Sequence, residues 1–125
     1  MAYDKENIFA KILRGEIPSN TVYEDDQILA FNDIAPKTPV HVLVIPKGEY
    51  IDMDDFAANA SAAEIAHFFA KAGEIARGLG LHEGGYRLVT NNGENAGQIV
   101  PHFHIHLMGG QRIKEGSMAR GMDGA

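Results

Sequence analysis

Three histidines separated by single apolar residues stand near the end of the chain, at His102, His104 and His106. Because successive side chains of a β-strand point to opposite faces, this spacing predicts three imidazoles on one face and Phe103 and Ile105 in the core behind them. A single histidine on a strand is most often a hydrogen-bonded structural residue. Three on one face are costly to bury without partners, and imidazole can act as base, acid, nucleophile or metal ligand near neutral pH. We therefore interpret this segment as a functional site.

A polar loop rich in glycine and amide side chains, residues 91–98, leads into the histidine segment. Glycines such as Gly97 let backbone N–H groups turn toward an anion, and the amides of Asn91 and Gln98 add hydrogen-bond donors. The loop could equally be an ordinary turn, but beside three histidines we favour a phosphate-binding role. The chain has neither the Gly-x-Gly-x-x-Gly pattern of dinucleotide sites nor a P-loop lysine.

Two further residues are candidates for the same site. His41 lies inside the apolar run Val40 to Ile45, where a buried imidazole needs a hydrogen-bond partner. If that strand pairs near the last strand, His41 reaches the same site. Asp33 lies at the end of another predicted strand, where its carboxylate could accept hydrogen bonds from sugar hydroxyls or cap the following turn.

The spacing leaves two chemistries open. His41, His102, His104 and His106 could supply three or four nitrogen ligands to zinc. Alternatively, one imidazole could attack phosphorus and form a covalent phosphohistidine while its neighbours stabilise the phosphate oxygens. Zinc sites often include a carboxylate or thiolate, and the last strand contains neither, so we expect no required cofactor while keeping zinc as an alternative.

Composition narrows the classes of protein. The 125 residues fit one domain, and the net charge of −6 lacks the basic patches of a nucleic-acid binder. The absence of cysteine excludes disulfides and thiolate metal sites and suits the cytoplasm. No apolar run approaches the ~20 residues that span a bilayer, and the polar N-terminus is unlike a signal peptide. We therefore expect a cytoplasmic protein without nucleic-acid or membrane partners.

Apolar periodicity predicts an α+β domain with one short N-terminal helix, one long helix and five strands. Short turns between strands favour a mostly antiparallel sheet. The two helices are expected at 7–14 and 61–79, and the strands at 21–23, 27–32, 40–45, 86–91 and 102–108. Residues 1–110 would form the domain, and residues 111–125 a partly flexible tail.

The sequence from His102 to Met108 resembles the histidine triad (HIT) motif, His-φ-His-φ-His-φ-φ, where φ is apolar. The resemblance covers about residues 7–110. Met108-Gly109-Gly110 is more similar to the Hint branch, the histidine triad nucleotide-binding proteins, than to the dinucleoside polyphosphate hydrolases. The other segments that resemble the family are residues 8–18, 30–36, 39–47 and 97–98.

This resemblance implies a HIT-like fold, a homodimer, and hydrolysis of purine nucleoside 5′-phosphoramidates or related nucleotides through a covalent nucleotidyl-histidine. It implies that His104 is the nucleophile and that His41 and His102 orient the site. The phosphate would be contacted by His106, Asn91, Gly97 and the backbone at Gln98 and Ile99. Asp33 would hold the ribose hydroxyls. The base pocket would be lined by Ile8, Phe9, Ile12, Phe31, Ile34 and Leu43.

One position departs from the Hint pattern. Ile99 stands where many relatives carry serine or another polar residue close to the leaving group. Because isoleucine offers no side-chain proton, a nucleotide-binding protein with little catalysis remains an alternative. A dinucleoside polyphosphate hydrolase and a zinc-binding protein are the other two.

Overall fold

The computed structural model describes residues 2–114 and contains one five-stranded sheet with helices on both faces. All neighbouring strands are antiparallel, in the order β1-β2-β3-β5-β4, which confirms the predicted α+β class. The strands are β1 (Thr21–Glu24), β2 (Ile28–Asn32), β3 (Val40–Pro46), β4 (Arg87–Val89) and β5 (Ile105–Gly109). The helices are α1 (Ile8–Leu13), α2 (Met53–Asn59), α3 (Ala62–Gly78) and α4 (Leu81–Gly84), with a 3₁₀ turn at Glu94–Ala96.

The larger core lies between the sheet and the long helix α3. Ser61 caps α3 by accepting the Glu64 N–H at 3.0 Å, as the serine–glutamate spacing predicts. Phe103 stacks on Phe56 of α2 with ring centroids 4.7 Å apart and also contacts Phe68 of α3. The prediction that Phe103 belongs to the core is therefore confirmed.

The opposite face of the sheet carries the histidines and is covered in part by α1. Asn7 caps this helix by accepting the Ala10 N–H, which explains why the helix starts one residue after its predicted start. In the β3–β5 ladder, Leu43 stands opposite His106. Because directly paired residues of antiparallel strands share a face, Leu43 and His106 point to the same side as the α1 residue Phe9. The central position of β3 and β5 thus places the site over the middle of the sheet.

The predicted last strand was too long at its beginning. The strand starts at Ile105, whereas residues 102–104 form an irregular approach to it. The reason lies in their backbone bonds: the His102 N–H donates to the Val100 carbonyl, and the Phe103 N–H donates to the Tyr50 carbonyl, outside the sheet ladder. His106 is therefore the one member of the three that lies in the regular strand, and strand alternation does not explain the positions of His102 and His104.

Two short helices were not predicted. The α2 segment has an acidic first turn and a side-chain cap from Asp52, a helix-start pattern that the sequence interpretation missed. The α4 segment contains His82, which is exposed. Of the predicted tail, residues 115–125 lie outside the described part of the chain. Within residues 2–114, no helix has the length and apolar character needed to cross a membrane.

Candidate active site

Four histidines lie close together on the α1 face of the sheet: His41 from β3, and the three of the C-terminal segment, about 60 residues later in the sequence. His41, His102, His104 and His106 are each at most 3% exposed. The rings of His104 and His106 have centroids 5.3 Å apart, and those of His106 and His41 are 5.1 Å apart. The predicted convergence of His41 on the histidine segment is therefore confirmed.

His104 has a protonation pattern suited to nucleophilic attack. Its Nδ1 lies 2.7 Å from the carbonyl oxygen of His102. Because a carbonyl only accepts hydrogen bonds, Nδ1 must carry the proton, and in the neutral ring the lone pair then lies on Nε2. Thr90, at the end of β4, donates its hydroxyl to the His104 carbonyl at 2.8 Å, which holds the backbone of this residue. The sequence interpretation missed Thr90.

A line of hydrogen bonds sets the tautomers of His41 and His106. The backbone N–H of Lys37 donates to His41 Nδ1 at 3.1 Å, so the proton of neutral His41 lies on Nε2. That Nε2 lies 2.9 Å from His106 Nδ1 and 3.5 Å from Asp33 Oδ2. His106 therefore accepts at Nδ1 and carries its own proton on Nε2. Burial lowers the pKa of His41 more than the Asp33 carboxylate raises it, which keeps the neutral form at neutral pH.

His102 is a supporting residue behind the other rings. Its Nε2–H donates to the Pro46 carbonyl at 2.8 Å, and its Nδ1 accepts a hydrogen bond from the Tyr3 hydroxyl. The residue is fully buried, and burial lowers its pKa to about 4. Because both ring nitrogens have protein partners, His102 does not reach a ligand. The contacts of both ring nitrogens suit the orienting part expected of His102 rather than direct contact with a substrate.

The four-histidine zinc site is not assembled. Within residues 2–114, the group that brings metal-ligating atoms within 4.8 Å of one another is Asp33, His41 and His106, which includes a carboxylate and omits two of the expected ligands. His102 has no nitrogen to spare. His41 carries its proton on Nε2, the atom that would have to ligate, because Lys37 occupies Nδ1. The hydrogen-bond pattern therefore fits proton-bearing imidazoles better than metal ligands.

The polar loop, residues 91–98, forms more internal hydrogen bonds than expected. The N–H groups of Gly97 and Gln98 donate to Glu94 and Gly93 carbonyls inside the loop. The Gln98 side chain accepts the Gly93 N–H at 2.7 Å and donates to the Ile51 carbonyl at 2.8 Å. These bonds correct the expected phosphate-binding role of the Gly97 and Gln98 backbone, since both N–H groups already have partners.

Asn91 and Ile99 flank this loop at its two ends. Asn91 follows β4 by two residues and is half-buried, while Ile99 is 71% exposed. Because Val89 of β4 pairs with His106 and Thr90 bonds to His104, the chain carries Asn91 toward the histidine rings. Asp33, the other polar candidate, accepts the Ala35 N–H at 2.8 Å, so its turn-capping role is confirmed.

An apolar wall adjoins the nucleophile. Phe9, Phe31 and Leu43 belong to one buried cluster, and Ile12 is partly buried against it. The Phe9 ring meets the His104 ring edge-on, with centroids 4.9 Å apart. Among the other expected lining residues, Ile8 is 44% exposed and Ile34 is 98% exposed. Ile34 therefore forms no part of this wall, because its side chain projects away from the packed face.

The chain is similar to known proteins in both sequence and fold. Residues 14–113 match the family model of the HIT domain. The chain is 56% identical over 111 residues to an HIT-like protein of Rickettsia prowazekii, covering 89% of this chain and 92% of that protein. It is 43% identical over 109 residues to the purine nucleoside phosphoramidase of Escherichia coli, covering 87% of this chain and 91% of the enzyme.

The fold is also similar to that of solved HIT family structures. The crystal structure of an HIT family hydrolase from Legionella pneumophila aligns with a TM-score of 0.82 and 41% sequence identity. That alignment covers 88% of this chain and 97% of the Legionella chain. The similarities thus extend over most of each protein compared.

Proposed function

This chain belongs to the HIT domain family, as its resemblance to the histidine triad motif implied, and we propose that it hydrolyses purine nucleoside 5′-phosphoramidates or related nucleotides. The observation that carries the proposal is the hydrogen bond from His104 Nδ1 to the His102 carbonyl, since it leaves the lone pair of the neutral ring on Nε2. The activity named for the Escherichia coli relative, purine nucleoside phosphoramidase, supports this substrate class.

In the proposed complex, the base packs against the apolar wall beside Phe9 and Phe31. The phosphate lies next to the His104 and His106 rings, where the Nε2–H of His106 donates to a phosphate oxygen. Asn91 and the Ile99 backbone N–H add donors. The ribose hydroxyls lie at Asp33, whose carboxylate oxygens each have further lone pairs beyond the Ala35 bond. Binding at an apolar wall with a few convergent polar groups is usual for small ligands.

The proposed reaction has two displacements. His104 Nε2 attacks the phosphorus in line, the phosphorus–nitrogen bond to the leaving amine breaks, and a nucleotidyl-histidine forms. The positive charge that develops on the ring is stabilised by the His102 carbonyl at Nδ1–H. Because Ile99 has no side-chain proton and is exposed, the amine takes its proton from solvent. Water then attacks phosphorus and loses a proton to solvent, the phosphorus–nitrogen bond to His104 breaks with its electron pair returning to Nε2, and the nucleoside monophosphate leaves.

A nucleotide-binding protein with little turnover is the second candidate. It is favoured by one observation, the apolar side chain of Ile99 at the open end of the loop, where a proton donor would assist the leaving group. The two candidates differ in whether a covalent intermediate accumulates and product appears.

We also propose a homodimer in which β4 of each subunit contributes to the interface. β4 is an edge strand; Leu88 within it is 43% exposed, and Tyr86, directly before it, is 39% exposed. An edge strand with exposed apolar side chains is suited to pairing with a second chain. Light scattering coupled to size-exclusion chromatography measures the mass directly, and a monomer at micromolar concentration contradicts the proposal.

The decisive experiment is incubation with adenosine 5′-phosphoramidate, followed by product chromatography and intact mass measurement without acid, which cleaves phosphohistidine. We expect AMP and a protein adduct one nucleotidyl group heavier. His104→Ala should lose both, whereas the matched control His82→Ala, at an exposed site on α4, should keep both. Parallel reactions with a diadenosine polyphosphate and after exhaustive chelation test the other two alternatives. Nucleotide binding with neither AMP nor adduct contradicts the hydrolase.

A further inference from the structure

Residues 3–7, which precede α1, form an N-terminal arm that contacts His102. Its Tyr3 ring meets the His102 ring edge-on, with centroids 5.6 Å apart, and the Tyr3 hydroxyl contacts His102 Nδ1. Since Nε2 of His102 donates to the Pro46 carbonyl, Nδ1 is the acceptor and the tyrosine is the donor. Burial raises the pKa of Tyr3, so the hydroxyl keeps its proton at neutral pH.

The arm is held in place by its own contacts. Asn7 donates from Nδ2 to the Asp4 carbonyl at 2.7 Å while its Oδ1 caps α1. Arg14 donates from Nη1 to the Lys5 carbonyl at 2.7 Å. The Tyr3 hydroxyl is therefore presented to His102 by an ordered segment.

His102 connects this arm to the nucleophile. Its ring is bonded at both nitrogens, and its backbone N–H donates to the Val100 carbonyl at 2.9 Å. The carbonyl of the same residue accepts the Nδ1–H of His104. Because the ring and the peptide share one Cα in an irregular segment without ladder bonds, a ring held at both ends restricts where that carbonyl points.

We propose that Tyr3 is a positioning residue for catalysis: through His102, it keeps the carbonyl aligned with His104 Nδ1–H and so keeps the attacking lone pair on Nε2. The inference rests on the proposed function for its kinetic consequence. Its structural consequence, the tautomer of His104, is independent of any substrate.

The test is Tyr3→Phe, which keeps the ring contact and removes the hydroxyl. We expect kcat for adenosine 5′-phosphoramidate to fall about ten-fold with KM within about two-fold, because orientation rather than binding is lost. The matched control is Tyr23→Phe, which removes a hydroxyl that donates to Asp25 at 2.8 Å near the β1–β2 turn. Melting temperatures of both variants separate loss of stability from loss of orientation.

A second measurement does not need activity. The ¹⁵N shifts of the imidazole nitrogens report the tautomer, and we expect wild-type His104 to be protonated at Nδ1 and Tyr3→Phe to show mixed tautomers or exchange broadening. Unchanged His104 shifts together with unchanged kcat overturn the proposal, as does a loss that Tyr23→Phe reproduces. If the wild type turns over no phosphoramidate, the proposed function fails and the shifts alone decide the role of Tyr3.

Discussion

Acidification should destabilise this protein in a pH range set by His102. Desolvation by burial lowers the pKa of His102 from its ordinary value of 6.5 to about 4, although its hydrogen bond to the Pro46 carbonyl opposes the shift. Below pH 6.5 the unfolded chain therefore binds a proton that the folded chain does not. The stabilisation is complete above pH 6.5 and is lost as the pH falls toward 4.

The size of the effect follows from the width of that range. Each pH unit of difference is worth about 1.4 kcal/mol, so about 2.5 units correspond to a loss of about 3.5 kcal/mol in the free energy of unfolding. This is a large share of the 5–15 kcal/mol typical of a domain. The pKa of His41 is lowered as well, mainly by burial, and adds to the slope in the same direction.

Urea unfolding between pH 7.5 and 4.5 measures the effect, and the comparison variant is His102→Gln. Glutamine can accept from Tyr3 and donate to Pro46 but does not titrate in this range. The variant should be less stable than wild type at pH 7.5 and show a flatter pH dependence. Asp25 contributes to the pH dependence of stability only at lower pH. Burial raises the pKa of its carboxyl, but hydrogen bonds from N–H and hydroxyl donors outweigh burial and lower it to about 2. A wild-type free energy that does not change across this range, or a variant with an undiminished slope, refutes the reasoning.

Three further changes test the site. His104→Ala should lower phosphoramidate turnover by at least about three orders of magnitude while AMP binding by calorimetry persists, and near-normal turnover removes His104 as the nucleophile. Ile99→Ser should raise kcat about ten-fold or more by offering the leaving amine a proton, and an equal rise in Ile99→Ala would show that the hydroxyl is not the cause. Phe9→Ala should cost about 3 kcal/mol in urea unfolding, because Phe9 is 7% exposed, and should weaken AMP binding; unchanged AMP affinity would exclude Phe9 from the base site.

Much of the fold could be predicted because the relevant signals are local. The apolar run from Val40 to Ile45 identifies a central strand, and the Ser61–Glu64 spacing identifies the start of α3. The predictions were wrong where backbone N–H groups donate hydrogen bonds outside the regular helices and strands. Phe103 donates its N–H to Tyr50, so the last strand starts later than its alternating pattern suggested.

In the candidate site, too, some features could be predicted from the sequence and others could not. Periodicity could not distinguish Ile34, which is exposed, from Phe31 and Leu43, which are buried, because all three lie in or beside apolar strands. The Gly97 and Gln98 donors were expected to face a ligand and instead close the loop, since a turn satisfies its own N–H groups first. No sequence pattern indicated that the site would include Tyr3, Thr90 and Pro46.

By itself, the sequence determined the family, the antiparallel α+β architecture and the identity of the four clustered histidines, because residue type and short-range spacing express these features. Only the tertiary structure decided which nitrogen of each imidazole carries the proton. That choice depends on single acceptors and donors brought from distant positions, such as the Pro46 carbonyl on His102 and the Lys37 N–H on His41. Because a hydrogen bond requires its donor and acceptor atoms to be about 3 Å apart, residues far apart in the chain can form one only after the sheet has brought them together.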